Sequence, residues 1–324
     1  MNKKLIKIFI GISLLIPTLA YCGLWDYVIG NRLKMNEMKN FAKDYAEQKY
    51  HRDYEVKALD WNNKNSGGVL LKPTDDSSGA CWIWLVRKDG DYTLAEQSTV
   101  GAYPDFCRQK IIERKMQNYL EENIVSKYFK NAEVFSFNFS CADEEKSCGL
   151  PKGDSIYNYW NLSSEEWLKK FYKYLQVDGV TINVFEVEKS PENIAKAVRL
   201  AFELNKFLYG ITGTHDIRYI SLLLYGVSEN EFVKKYNGKF IRHILKNGKD
   251  YSFYNFWGGV KLGTCLEYNS NGRKCLDNKV ITSRTNIIEM LNDVYITSTV
   301  GLKREPLKDT KYYSQVKNIL LNQK

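Results

Sequence analysis

From Met35 to Tyr50 the apolar side chains fall at Met38, Phe41, Ala42, Tyr45 and Ala46, the spacing of one face of an amphipathic helix. Tyr54, Val56, Ala58 and Asp60 then alternate with Glu55, Lys57, Leu59 and Trp61, the period-two pattern of a strand with one covered face. Gly67-Gly68 and the stretch Pro73–Gly79 carry turn chemistry on either side of a short Val69–Leu71 strand. Ala80 to Arg87 is rich in β-formers and runs into Lys88-Asp89-Gly90-Asp91, a hairpin signal. A second helix is expected from about Asp105 to Ser126, with Pro104 and Asp105 marking its start.

This first stretch contains an echo. Met38, Asn40, Lys49, Tyr50, Glu55 and Val56 recur as Met116, Asn118, Lys127, Tyr128, Glu133 and Val134, six identities in 24 positions at an offset of 78. Either a helix–strand unit is duplicated, or two unrelated units share a pattern. Residues 35–140 read as helices packed on one antiparallel sheet, because the apolar sheet face needs cover.

A loop-rich stretch, 141–162, separates this part from the next. Ser163-Ser164-Glu165-Glu166 has the spacing of a capping box and opens a helix to about Leu175. Val180, Ile182 and Val184 alternate along a strand from Asp178 to Glu188. Ser190, Pro191 and Glu192 then start a helix that is expected to stop at Gly210. The strand Ile217–Tyr225 contains Leu222-Leu223-Leu224, which points to burial on both faces. Two hairpins follow, around Asn247-Gly248 and around Asn269–Gly272, then a helix near Asn286–Asn292, a short strand and a polar helix from about Asp309. The expected class is α+β, in two domains, each with helices on a mainly antiparallel sheet. Their bounds are 35–150 and 155–305, with a C-terminal helix or tail at 306–324.

The N-terminus changes the picture of where this chain works. Lys3, Lys4 and Lys7 precede an apolar run from Ile8 to Ala20, too short for a stable span and typical of a cleaved secretory leader. Leu19-Ala20-Tyr21-Cys22 resembles the lipobox of exported bacterial lipoproteins, although Tyr21 stands where that family has a small residue. The resemblance implies a signal peptide at 1–21, lipidation of Cys22, a tether at 22–34, and attachment to the cell envelope or outer membrane. Thr18-Leu19-Ala20 is a competing ordinary cleavage site, which would release a soluble periplasmic or secreted protein.

The chain has seven cysteines. Setting aside Cys22 leaves Cys81, Cys107, Cys141, Cys148, Cys265 and Cys275, an even set fit for an oxidising compartment. Proximity favours Cys141–Cys148 and Cys265–Cys275, leaving Cys81–Cys107. For Cys265 to face Cys275 in a hairpin, the loop must be odd, such as Asn269–Asn271.

Charge and chemistry then narrow the function classes. The formal charge of +9 drops by three with the leader lysines. The remaining basic residues are interspersed with acids, so nucleic-acid binding is not expected. There is no HExxH, no Cys-x-x-Cys, no P-loop, no G-x-S-x-G and no G-x-G-x-x-G, so no metal or cofactor is expected. The chain has three histidines: His51 at a helix end, His215 beside Asp216 in a Gly-Thr-rich loop, and His243 on a hairpin strand. His215, Asp216 and His243 are weak catalytic candidates. Tyr157, Tyr159 and Trp160 lie in the densest aromatic stretch, just before a helix cap, and are candidate partner-binding residues.

These features favour a non-enzymatic, envelope-associated protein-binding module, with a toxin-neutralising immunity or inhibitor protein as one case. An exported hydrolase with dispersed catalytic residues and a structural component of a surface assembly are the alternatives.

Overall fold

The computed structural model describes residues 32–63, 65–75, 78–96, 104–141, 147–151, 154–172, 174–212, 217, 219–229, 256–263, 267–269, 272–274, 285–297 and 304–322. Helix α1 covers residues 32–50 and buries Met38, Ala42, Ala46 and Tyr50, one face of the expected stripe. It ends at His51, whose φ of 54° is left-handed. The His51 N–H returns to the Glu47 carbonyl at 2.9 Å, closing the last turn. A β-carbon is strained in that conformation, so His51→Gly is expected to raise stability by about 0.5–1 kcal/mol, read as a higher urea midpoint.

Four strands follow as an antiparallel meander: β1 (Tyr54–Asn63), β2 (Ser66–Pro73), β3 (Cys81–Lys88) and β4 (Asp91–Leu94). Asp89 and Gly90 make the two-residue β3–β4 turn with φ of 52° and 98°, the mirror-image turn that matches strand twist. Gly67-Gly68 is not a turn, contrary to its composition, but lies within β2. A β-carbon on Gly67 would sit 2.5 Å from the Asp60 carbonyl oxygen and 3.1 Å from Met38 Sδ. The glycine is there because the β1 backbone and α1 come too close for any side chain.

A bulge at Lys57 shifts the β1 register between Val56 and Ala58. It breaks the strict alternation expected of this strand. Leu59 and Trp61 join Tyr54 and Val56 on the inner face, opposite Val69 and Gly67, while Ala58 and Asp60 are exposed.

Helix α2 (Cys107–Asn123) is next, then a 3-10 turn at Val125–Lys127 and strand β5 (Ala132–Cys141). β5 does not join the first sheet, as the reading of 35–140 as a single sheet required. It pairs with β6 (Leu175–Val184) and forms one edge of a six-stranded sheet. β1 and β5 nonetheless begin and end 78 residues apart, and each has a register shift after its valine, Val56 and Val134. Met38, Ala42 and Ala46 have buried counterparts in Met116, Leu120 and Ile124. The two helix–strand segments thus share strand length and the place of the first bulge.

The six-stranded sheet continues with β7 (Ile220–Tyr225), β8 (Phe256–Leu262), β11 (Val294–Thr297) and β12 (Arg304–Pro306). Among the described strands only β6 and β7 pair in parallel, and the crossover between them contains the long helix α4 (Pro191–Thr212). This helix runs through Gly210 rather than stopping there. One helical glycine costs only about 1 kcal/mol. Helix α3 (Ser164–Phe171) has the expected capping box from Ser163 and Glu166. Helix α5 (Tyr313–Asn322) buries Val316 and Leu320.

One face of this sheet is apolar across successive strands: Phe137, Val180, Ile220 and Leu262 in one row, Val134, Ile182, Leu222, Val260 and Val294 in the next. The edge strand β5 is blunted by its own unit. Glu121 Oε1 accepts the Val134 N–H at 2.7 Å, Gln117 Nε2 donates to the Phe135 carbonyl at 3.4 Å, and Tyr157 Oη donates to the Phe139 carbonyl at 3.5 Å. Side chains thus occupy backbone groups that would otherwise template another strand.

A small hairpin, β9 (Glu267–Asn269) with β10 (Gly272–Lys274), pairs Asn269 with Gly272. That register does not leave the odd loop expected from cysteine pairing. Cys22, Cys265 and Cys275 lie outside the described residues, as does the Asn247-Gly248 turn. The chain is α+β with mainly antiparallel sheets and, among the described residues, two disulfides, Cys81–Cys107 and Cys141–Cys148. Its packing divides it into two units between Arg114 and Lys115. No described helix is long and apolar enough to cross a membrane.

Candidate functional site

In the first unit, the sheet turns Val69, Leu71, Cys81, Ile83 and Leu85 inward, all of them buried. Alternation therefore sends Leu70, Trp82, Trp84 and Val86 to the opposite face, where each is only partly covered. The register sets them in rows: Ala58, Leu70 and Trp82 in one, Asp60, Gly68 and Trp84 in the next, then Ser66, Val86 and Thr93.

The two indoles stack with ring centroids 5.8 Å apart and planes inclined by 26°. A β-carbon on Gly68 would lie 3.0 Å from Trp84 Cε3 and 3.1 Å from Trp82 Cε3. Both rings therefore lean across the bare Gly68 backbone towards β1, and Gly68 itself is buried beneath them. The result is a flat aromatic platform beside exposed Ala58, Asp60 and Thr93. At its margins Lys57 pairs with Glu55, and Lys88 pairs with Glu96 at 2.6 Å.

Behind the inner face a cluster of titratable groups gathers on the Asp105 carboxylate. The Asp105 side chain has no solvent exposure. Its Oδ2 accepts the Tyr50 hydroxyl at 2.6 Å, the Tyr45 hydroxyl at 2.9 Å and Lys49 Nζ at 3.0 Å. Its Oδ1 accepts the Cys107 N–H at 3.0 Å, capping α2. Arg108 Nε adds a looser ion pair at 3.7 Å. Burial, followed by the charge of Asp105, holds the Tyr45 and Tyr50 phenols well above the usual range. Burial also pushes Tyr54 up to about 12. Phenols held protonated in this way are hydrogen-bond donors rather than nucleophiles, so this cluster pins α1 to the start of α2.

The aromatic candidates of the second unit are more engaged than their place in the sequence implied. Tyr157 packs on Phe139 with centroids 6.2 Å apart, and its hydroxyl reaches the Phe139 carbonyl. Tyr159 meets Phe171 edge-on at 5.3 Å, and its hydroxyl donates to Asp154 Oδ2 at 3.0 Å, with Lys170 Nζ 4.7 Å from the ring centre. That hydrogen bond raises the Tyr159 phenol. Trp160 is partly buried, and its carbonyl accepts Lys115 Nζ at 2.8 Å. The exposed rings nearby are Tyr172 and Tyr174.

His51 is exposed at the end of α1. His215, Asp216 and His243 lie outside the described residues. No group of three or more potential metal ligands occurs among the described residues.

Sequence reasoning missed Trp82 and Trp84, reading them only as part of a β-prone run. The signal was present in the alternation Cys81, Ile83, Leu85 against Trp82, Trp84, Val86. Both sets are apolar, so periodicity could not say which faced the core.

No family model matches the chain, and no curated protein does. Among solved structures, it is similar to a DUF5037 family protein from Ruminococcus gnavus. The identity is 12%, over 75% of this chain and 95% of that one, with a TM-score of 0.38. No property of that protein passes to this one at such a distance.

Proposed function

We propose that this chain is an exported, envelope-associated protein-binding module that uses the outer face of its first sheet to dock a protein partner. The observation that carries this reading is the stacked, partly exposed Trp82–Trp84 pair on a strand face. Tryptophan is the residue type most enriched where interface energy concentrates. An apolar centre with charged and polar margins is the usual anatomy of a docking surface. Export is supported by the leader, and an oxidising compartment by the disulfides. Lipidation at Cys22 would hold the module at the periplasmic or outer surface of the envelope. A protein that recognises a secreted toxin or hydrolase and neutralises it is the case of this class that we favour for a disulfide-bonded scaffold with an aromatic docking face.

The test compares the mature protein with a Trp82→Ala/Trp84→Ala double variant as bait for proteins of its own envelope. A stoichiometric partner held by the native chain is expected to bind the variant at least ~30-fold more weakly, with the variant shown to be folded by its circular dichroism spectrum. A partner retained equally by both would remove this face from the reading.

A further inference from the structure

The Trp82–Trp84 face has an acidic margin with a specific geometry, and this inference rests on reading that face as the docking surface. Asp60, Gly68 and Trp84 are neighbours in one cross-strand row. Gly68 contributes no side chain, so no β2 side chain stands in that row between Asp60 and the indole rings that lean over Gly68. Strands lie about 4.8 Å apart, and an indole spans more than one such step. Asp60 is exposed, and no cation lies within ion-pair distance of it among the described residues. The nearest lysine along its strand, Lys57, is held by Glu55.

We infer that Asp60, Trp82 and Trp84 form a receptor for an arginine side chain of the partner. A cation over an indole face is attracted by the ring quadrupole. A planar guanidinium does this while presenting its edge N–H groups to a carboxylate, which the compact lysine ammonium cannot match. Trp84 supplies the stacking surface, Trp82 extends it, and Asp60 accepts two parallel hydrogen bonds at its edge. A neutral apolar ligand would gain nothing from Asp60, and an acidic one would be repelled.

The experiment titrates the mature, disulfide-bonded protein with ethylguanidinium, ethylammonium and acetate, following the indole Nε1–H signals of Trp82 and Trp84 by NMR. Ethylguanidinium is expected to shift those two signals saturably, with ethylammonium weaker and acetate silent. Asp60→Asn should weaken the guanidinium response ~5-fold, while Asp60→Glu, which keeps the charge, retains it. An Asp60→Asn protein that titrates like the native one, or an equal response to acetate, overturns the assignment. If partner capture depends on the tryptophans but not on Asp60, the arginine receptor falls and the docking face stands. If it depends on neither, both fall.

Discussion

Asp105→Ala is expected to cost about 3–5 kcal/mol of folding free energy, enough to unfold a domain of ordinary stability. The carboxylate has no solvent exposure and gathers two phenols, one ammonium and the first helical N–H of α2. Removing it takes the shared acceptor from these partly desolvated donors, and leaves the Lys49 charge without its counter-ion. Asp105→Asn keeps the shape but offers one acceptor oxygen and two unwanted donors. It should lose less than alanine, though still well over 1 kcal/mol. Urea unfolding of the three proteins, followed by far-UV circular dichroism, reads the order directly. An alanine variant within 1 kcal/mol of the native protein would show that the cluster is solvated and dispensable.

The same cluster predicts an alkaline limit. In the unfolded chain tyrosines release their protons near pH 10, whereas in the fold Tyr45 and Tyr50 hold theirs well beyond that and Tyr54 to about 12. Above pH 10 the unfolded state therefore binds fewer protons than the native state, and stability falls as pH rises. The contribution is intact below pH 10 and erodes from there towards 12. Tyrosinate absorbance should appear together with unfolding rather than ahead of it. Tyr50→Phe removes the most strongly perturbed phenol and should make the alkaline loss shallower, while lowering stability at neutral pH by about 1 kcal/mol.

Much of this architecture is written locally and was legible for that reason. The capping box at Ser163, the Asp89-Gly90 turn, the proline-started helix at Pro191 and the double burial of Leu222–Leu224 each depend on a few neighbouring residues. Whatever depends on distant backbone was not legible. The bulge at Lys57 leaves no compositional mark, yet it inverts the facing of Leu59 and Trp61. Gly67-Gly68 has the composition of a turn, and only the crossing of Asp60 and Met38 over β2 shows why glycine is needed in a strand. Asp105 was recognisable as a helix start, but Tyr45, Lys49 and Tyr50 reach it from a helix more than fifty residues earlier. The tryptophan face was hidden because β3 is apolar on both sides. Once the sheet is formed, the inner set is fully buried and the outer set is left partly exposed.

Loss of the Cys81–Cys107 disulfide should exceed loss of Cys141–Cys148. The first closes a chain separation of 26 residues and the second one of 7. Loop entropy in the unfolded state then gives about 3.5 kcal/mol for the first and about 2.3 kcal/mol for the second. Position reinforces the ranking. Cys81 opens the inner row of β3 and Cys107 opens α2, two residues beyond Asp105, so this bond and the buried carboxylate hold the same junction. Paired alanine variants, Cys81→Ala/Cys107→Ala and Cys141→Ala/Cys148→Ala, separate the two by their urea midpoints. Combining the first pair with Asp105→Asn should give less than the sum of the separate losses, because neighbouring groups that order one junction couple. Strict additivity would mean that the bond and the carboxylate act independently. Reduction by dithiothreitol should follow the same geography. Cys81 and Cys107 are both buried, whereas Cys141 is partly exposed, so the short loop opens first and the fold survives until the longer bond is broken. A chain that needs this bond to hold its first unit is suited to folding where thiols are oxidised.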